Sequence, residues 1–312
     1  MILPAVVRQP YDDPTDSWYN SPIMNELAQR IARRVTTDGT VEVAPGLLFY
    51  RFSTPAGPAF AISKPRFCVI AQGSKEVVLG TERYRYDAAR YLLVSAGLPL
   101  VGHVIEASKD QPYLALGLTL DPAVVTAVLV ESGLPVAREN GDVRAVAVSR
   151  LDTNLLDAVV RLVRLLDSPA DYAVLAPLVV REIVYRLLIG DQGARLRQIA
   201  VVDGRVHRIA KAIELLGKDR DKPLRVADIA RQLAVSVSGL HSQFKAVTGM
   251  SPLQFQKQLR LQEARRLLLA GETDVARAGY RVGYEDPSHF SREYKRLFGK
   301  APTRDVERLH GR

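Results

Sequence analysis

GLHSQFKAVTGMSP at Gly239–Pro252 and HFSREYKRLFGKAP at His289–Pro302 repeat one pattern at an offset of 50 residues. Leu240 aligns with Phe290, Phe244 with Tyr294, Lys245 with Lys295, Gly249 with Gly299 and Pro252 with Pro302. Apolar anchors recur at the spacing of a helix's buried side, each run stops at a glycine, and each restarts at a proline suited to the first turn of a new helix. This is a duplicated helix-turn-helix pattern. Two such units in one chain point to double-stranded DNA as the partner.

Charge segregation supports the same partner. The chain has 43 Lys and Arg against 34 Asp and Glu, but from Arg205 onward it holds 22 basic and 12 acidic residues. The preceding 204 residues carry 21 basic and 22 acidic ones, so the whole positive excess lies in the duplicated segment, where it can neutralise phosphates. Within that segment (205–312), the pattern predicts a helix at Val206–Leu216, a polar loop KDRDKP, and a first unit over about 226–247. A linker helix over 252–270 and a second unit over about 274–297 follow. The second helix of each unit is the one that enters the major groove. Its exposed positions are Ser238, His241, Ser242 and Lys245 in the first unit, and Ser288, His289, Arg292, Lys295 and Arg296 in the second. Arg292 is the base-reading candidate, because a guanidinium bonds both acceptors of a guanine edge. Lys245, Lys295 and Arg296 suit phosphates, which set position without reading sequence.

The first 204 residues have a different texture. Residues 1 to about 20 read as a loose leader, and Met24–Val35 as a short amphipathic helix started at Ser21-Pro22, with Leu27, Ile31 and Val35 on one side. Over 41–122 the period changes to strands: GLLFYRF, FCVIAQG, KEVVLG, RYRYD, RYLLVS, GHVIEA and PYLALGLTL are punctuated by Gly, Pro, Asp and Ser. That spacing predicts an antiparallel barrel or sandwich, with a hairpin at Leu79–Glu82 and a turn at Asp87–Ala89. Over 123–200 the pattern turns helical, with one helix at Asn154–Leu166 capped by Asp152 or Thr153 and another at about Tyr172–Ile189. The second is apolar around most of its circumference, so Leu175, Leu178, Val179, Ile183, Arg186 and Leu187 are candidates for a symmetric dimer seam. The connector between the two regions falls near Val201–Gly204.

RLQEARRLLL followed by VGYEDPSHFSREYKRLFGKAP resembles the signature of AraC/XylS-type bacterial transcription regulators. Upstream, VIAQGSKEVVLG, YRYDAARYLLVSAGLPLVGHVIEAS and PYLALGLTLDP resemble the effector domain of one branch of that family. The resemblance implies an α+β chain: an antiparallel, cupin-like β-barrel with a helical extension, then an all-α domain of two helix-turn-helix units. It further implies a homodimeric regulator, activator or repressor, that enters successive major grooves, meets RNA polymerase and senses a small molecule in the barrel. Three positions depart from the family pattern: Ala234 stands at a turn position where Gly is usual, Ser242 where a long polar side chain is common, and Gly279 where Ala is usual.

Plainer readings stand beside these. His241 and His289 also suit solvated helix positions, and the Arg residues of Gln258–Arg266 suit a solvated face. A metal-dependent barrel enzyme needs converging ligands, yet His103 is the only histidine before His207, and with Glu106 it could at most seed a site. No catalytic residue, metal or cofactor is therefore assigned. Cys68, the only cysteine, reads as a core residue, with a redox-sensing thiol as the alternative. Tyr84, Tyr86, Tyr91 and Arg66 suit either a ligand cavity or a surface ladder. Apolar runs broken by Arg and Pro, and an N-terminus without a signal-peptide layout, predict a cytoplasmic protein with no membrane partner.

Overall fold

The computed structural model describes residues 21–80, 82–135, 144–200, 205–218, 226–271 and 274–310. The expected leader, the connector near 201–204 and most of the KDRDKP loop lie outside them. The chain divides at His207/Arg208 into two compact units.

In the first unit, α1 (Pro22–Arg34) starts where Ser21 Oγ accepts the Met24 N–H, and it buries Met24, Leu27 and Ile31. Strands β1 (Gly39–Ala44), β2 (Leu47–Phe52), β3 (Ala56–Ser63), β4 (Arg66–Gln72) and β5 (Ser74–Leu79) follow. After them come β6 (Glu82–Asp87), β7 (Arg90–Val94), β8 (Leu98–Glu106) and β9 (Tyr113–Thr119). All seven sequence-predicted strand runs fall on strands. The hairpin pairs Leu79 with Glu82, Gly80 after Leu79 has a φ of 62°, and Asp87 Oδ1 accepts the Ala89 N–H at 3.1 Å to make the next turn.

The strands form two antiparallel sheets: β1-β2-β9-β4-β7-β10 and β3-β8-β5-β6. The edge strand β10 (Val146–Arg150) pairs with β7. It lies in a region whose pattern predicts helix alone, because a single short strand between helices has no neighbouring strand run to set its period apart. Helices α2 (Pro122–Glu131), α3 (Thr153–Leu165), α4 (Pro169–Ile189) and α5 (Gly193–Ala200) complete the unit. Asp152, rather than Thr153, caps α3, accepting the Asn154 and Leu155 N–H groups at 3.0 Å.

Strand alternation gives the larger sheet two different sides. Leu47, Phe49, Phe67, Val69, Tyr91, Leu93, Leu114, Leu116 and Leu118 pack against the helices in one continuous apolar core. Arg66, Cys68, Tyr50, Tyr113 and Gly117 alternate with them and turn toward the smaller sheet. An ion-pair network at the surface fastens α1 to α3: Glu26 accepts from Arg30 at 2.7 Å and from Arg164 at 2.6 Å, and Asp167 binds both Arg30 and Arg34. The Arg164 and Arg30 guanidinium groups hold the Glu26 carboxyl down to about 2.

Helix α4 corrects the expected dimer seam. Ile183 is 0%, Leu187 1% and Val179 9% exposed, all within the unit's own core, and Arg186 pairs with Glu182 on its own helix at 2.8 Å. Its exposed apolar side chains are Val174, Leu175, Leu178, Tyr185 and Ile189. Apolarity around the circumference could not show which side the sheet takes.

Helix α6 (Arg205–Lys218) spans the division, and the second unit is helical throughout its described residues, with α7 (Val226–Gln232), α8 (Val237–Thr248), α9 (Pro252–Leu269), α10 (Val275–Arg281), α11 (Pro287–Phe298) and α12 (Pro302–His310). Among the described residues no helix is long and apolar enough to cross a membrane.

Candidate nucleic-acid interface

The repeat changes offset inside the turns. Helices α8 and α11 lie 50 residues apart and have twelve residues each, whereas α7 and α10, of seven residues each, lie 49 apart. The second turn is therefore one residue longer. The helix ends before the turns are nonetheless built alike. Val235 N–H donates to Ala230 O and Ala234 N–H to Arg231 O, and at an offset of 49 Tyr284 N–H donates to Gly279 O and Gly283 N–H to Tyr280 O. This double closure requires a left-handed residue past the helix end. Gly283 supplies it in the second unit with a φ of 82°, and Ala234 in the first with a φ of 53°, the one non-glycine positive φ among the described residues.

Each recognition helix then starts on a side-chain cap. Ser236 Oγ accepts the Gly239 N–H at 3.0 Å, and the Asp286 carboxylate accepts the Ser288 and His289 N–H groups at 2.8 and 3.1 Å. Both helices end on left-handed glycines, Gly249 and Gly299. Leu240, Phe244 and Val247 bury the inner side of α8, with Phe244 edge-on to Phe255 of α9 at 5.3 Å. Phe290, Tyr294 and Phe298 do the same for α11 in a continuous aromatic stack joined by Tyr284. Gly279 belongs to this packing: a Cβ there would meet the Phe290 ring at 3.1 Å. The absence of a Cβ at Gly279 thus leaves room for close packing of the Phe290 ring against α10.

A buried ion pair secures the second head. Arg265 on α9 donates to Asp305 on α12 at 2.8 Å, Asp305 is fully buried, and the Tyr294 hydroxyl donates to the same carboxylate at 3.1 Å. Arg265 also lies over the Phe298 ring at 4.7 Å. Burial and the Asp305 charge push the Tyr294 hydroxyl well above the ordinary phenol range. One carboxylate therefore ties together α9, α11 and α12, and fixes α11 about its own axis.

All nine sequence-predicted residues lie exposed on the outer sides of these two helices: Ser238, His241, Ser242 and Lys245 on α8, and Ser288, His289, Arg292, Lys295 and Arg296 on α11. They are not equivalent. Arg292, Lys295 and Lys245 make no ion pair among the described residues, whereas Arg296 lies 4.0 Å from Glu293, itself bound to Lys257 of α9 at 2.8 Å. The His289 ring stands edge-on to Tyr284 at 5.6 Å, which orients it, and Ser238 Oγ lies 3.3 Å from the cap Ser236 Oγ. The sequence reading passed over exposed side chains on the first helix of each unit, Arg231, Arg277 and Tyr280. The 49-residue offset makes Arg231 and Tyr280 equivalent, a relation hidden by the 50-residue register of the recognition helices.

In the first unit the expected ligand-lining residues separate. Arg66 and Tyr86 turn into the space between the sheets, and so does Cys68, half-buried rather than packed in the core. Tyr91 instead joins the helix-side core, edge-on to Phe67 at 5.3 Å. Alternation along β7 decides this. Among the described residues no group of three or more His, Cys, Asp and Glu stands ready to hold a metal.

Comparison with known proteins places both units. Residues 43–195 match the family described as AraC-type transcriptional regulator N-terminus, and residues 229–308 match a helix-turn-helix domain family. The chain belongs to the AraC/XylS family of transcription regulators. This AraC-family chain is 32% identical over 161 residues to the HTH-type transcriptional activator RhaS of Salmonella agona, and 30% identical over 160 residues to RhaS of Salmonella paratyphi B. Each match covers 50% of this chain and 56% of the relative, so the chain spans little more than half the length of these curated relatives. A crystal structure of ToxT from Vibrio cholerae shares the fold at a TM-score of 0.56 and 14% identity, over 83% of this chain and 97% of that one. ToxT bound to an unsaturated fatty acid matches at a TM-score of 0.53 and 16% identity, over 84% and 94% of the two chains.

Proposed function

We propose that this protein is a sequence-specific, DNA-binding transcription regulator whose N-terminal unit binds a small-molecule effector. The observation that carries the reading is the pair of capped helices α8 and α11, each held by a buried aromatic side and each presenting a polar, basic outer side. Arg292 reads a base edge, while Lys245, Lys295 and Arg296 hold phosphates, joined by Arg231 and Arg277. Ser238, His241, Ser242, Ser288 and His289 complete the two contact surfaces. The family relation to activators such as RhaS supports activation through RNA polymerase, and the fold shared with fatty-acid-bound ToxT supports a ligand site in the sheet unit. The exposed side of α4 serves a homodimer, and the protein works in the cytoplasm.

Gel-shift titration of the purified protein against its own upstream DNA tests the reading. Affinity should fall steeply as salt rises, because each neutralised phosphate releases counterions, with on the order of 10³-fold loss between 50 and 200 mM salt for six or more contacts. A flat salt response, or equal affinity for unrelated DNA, would overturn it.

A further inference from the structure

The space between the two sheets holds two cationic side chains and no carboxylate partner for either among the described residues. Arg66 on β4 donates to the Tyr50 hydroxyl at 2.8 Å, and its Nε is buried with no hydrogen-bond partner. From the opposite sheet, Lys75 on β5 places its Nζ 5.5 Å from the centre of the same Tyr50 ring. A glycine stands beside each stem. A Cβ at Gly117 would lie 2.9 Å from Arg66 Cδ and 3.1 Å from the Tyr50 hydroxyl, and one at Gly102 would lie 2.9 Å from Lys75 Cε. Lys75 and Cys68 are half-buried on the facing sides of the two sheets. Burial, with the Arg66 charge, lowers the Lys75 ammonium below the ordinary lysine range, so its positive form is held there at a cost.

Uncompensated charges of one sign in an enclosed space are unfavourable for folding alone, and an anionic ligand removes the conflict. The remaining walls choose the kind of anion. Tyr50, Phe52 and Tyr113 line the larger sheet, with Phe52 and Tyr113 in ring contact at 6.3 Å. Tyr86 crosses from the smaller sheet to donate a hydrogen bond to Tyr113. Aromatic walls around one cationic corner suit an amphipathic monoanion, since a phosphate dianion loses far more hydration on entering such a space.

We propose that the cleft between the sheets binds a small organic carboxylate, its anionic head held by Arg66, Lys75 and the Tyr50 hydroxyl and its apolar body by the aromatic walls. This rests on the effector-binding reading above and names the chemical class of the effector.

Cys68, the only thiol of the chain, lies in the cleft and reports on it directly. Iodoacetate carries a carboxylate; the Cys68 thiolate displaces its iodide and forms a thioether, as it does with the neutral iodoacetamide. In the full-length protein, the rate of Cys68 labelling by iodoacetate relative to iodoacetamide should exceed the same ratio for free cysteine, on the order of tenfold for one favourable ion contact. Lys75→Met should abolish that excess and Lys75→Arg should keep it. Octanoate should protect Cys68, while octan-1-ol and inorganic phosphate should not. Lys75→Met should also melt higher than the wild type without ligand, since an unpaired charge has gone, so loss of folding does not confuse the result. A ratio equal to that of free cysteine, a ratio unchanged in Lys75→Met, or a thiol inert to both reagents overturns the proposal. Stronger protection by phosphate than by octanoate overturns the carboxylate assignment. Labelling reads the cleft alone; a gel shift with and without octanoate reads regulation separately, so either can fail without the other.

Discussion

Ala234 carries a strain that its counterpart Gly283 avoids. Both close a helix with the same pair of backbone hydrogen bonds, and both sit in the left-handed region. A Cβ there costs about 1–2 kcal/mol, part of which a glycine returns through the freedom of the unfolded chain, about 0.4–1 kcal/mol. Ala234→Gly should therefore stabilise the DNA-binding unit by about 0.5–1 kcal/mol, read as a higher urea midpoint with unchanged slope. A lower midpoint would show that the turn is not strained. Gly279 looks like a similar departure in sequence and is a different matter in space, because there the Phe290 ring fills the room a methyl group would need.

Between the recognition helices the difference is one of equipment. Helix α11 is capped by a carboxylate, braced by Glu293 to Lys257 and anchored by Tyr294 to the Arg265–Asp305 pair. It presents Arg292 free of any ion pair among the described residues. Helix α8 has a serine cap and Lys245 as the only full charge among its four predicted contact residues. Base selectivity should therefore lean on α11. Arg292→Ala should weaken binding by about 1–3 kcal/mol at one base position and relax the preference there, checked by gel shift against operators mutated at single positions. A uniform loss across all sequences would mark Arg292 as a phosphate contact. Lys245→Ala should weaken every sequence alike.

For the whole molecule, the exposed side of α4 bears on assembly. Leu175, Leu178, Tyr185 and Ile189 fall at alternating spacings of three and four around Glu182, the pattern of a helix seam, and Leu178 is 60% exposed. Leu178→Asp should shift the protein from dimer to monomer in sedimentation while leaving the fold intact. An unchanged mass would remove α4 from the interface. Ile183→Asp is no test of the seam, because that side chain is fully buried beneath the helix and its substitution disrupts the core.

The strongly periodic parts of this molecule were legible from sequence. Seven strand runs, α1, α3 and the helices of the duplicated unit announce themselves because a buried side repeats at 2 or 3.6 residues and is bounded by Gly, Pro, Ser or Asp. The nine exposed positions on α8 and α11 followed from the same rule, since knowing the buried side of a helix identifies the other side. Strand β10 and the 49-residue offset of the first helices were not legible, because β10 stands alone between helical stretches with no neighbouring strand run to mark its period, and one inserted residue hides a match.

Sequence by itself thus determined the two-headed helical unit, the sheet-rich unit before it and their unequal share of positive charge. Only the tertiary structure decided which residues share a space: Arg66 and Lys75 come from different sheets, Arg265 meets Asp305 from 40 positions away, and α4 turns Ile183 inward and Leu178 outward. Local periodicity reports that a side chain is buried. What it is buried against depends on how distant segments pack, and no local pattern encodes that.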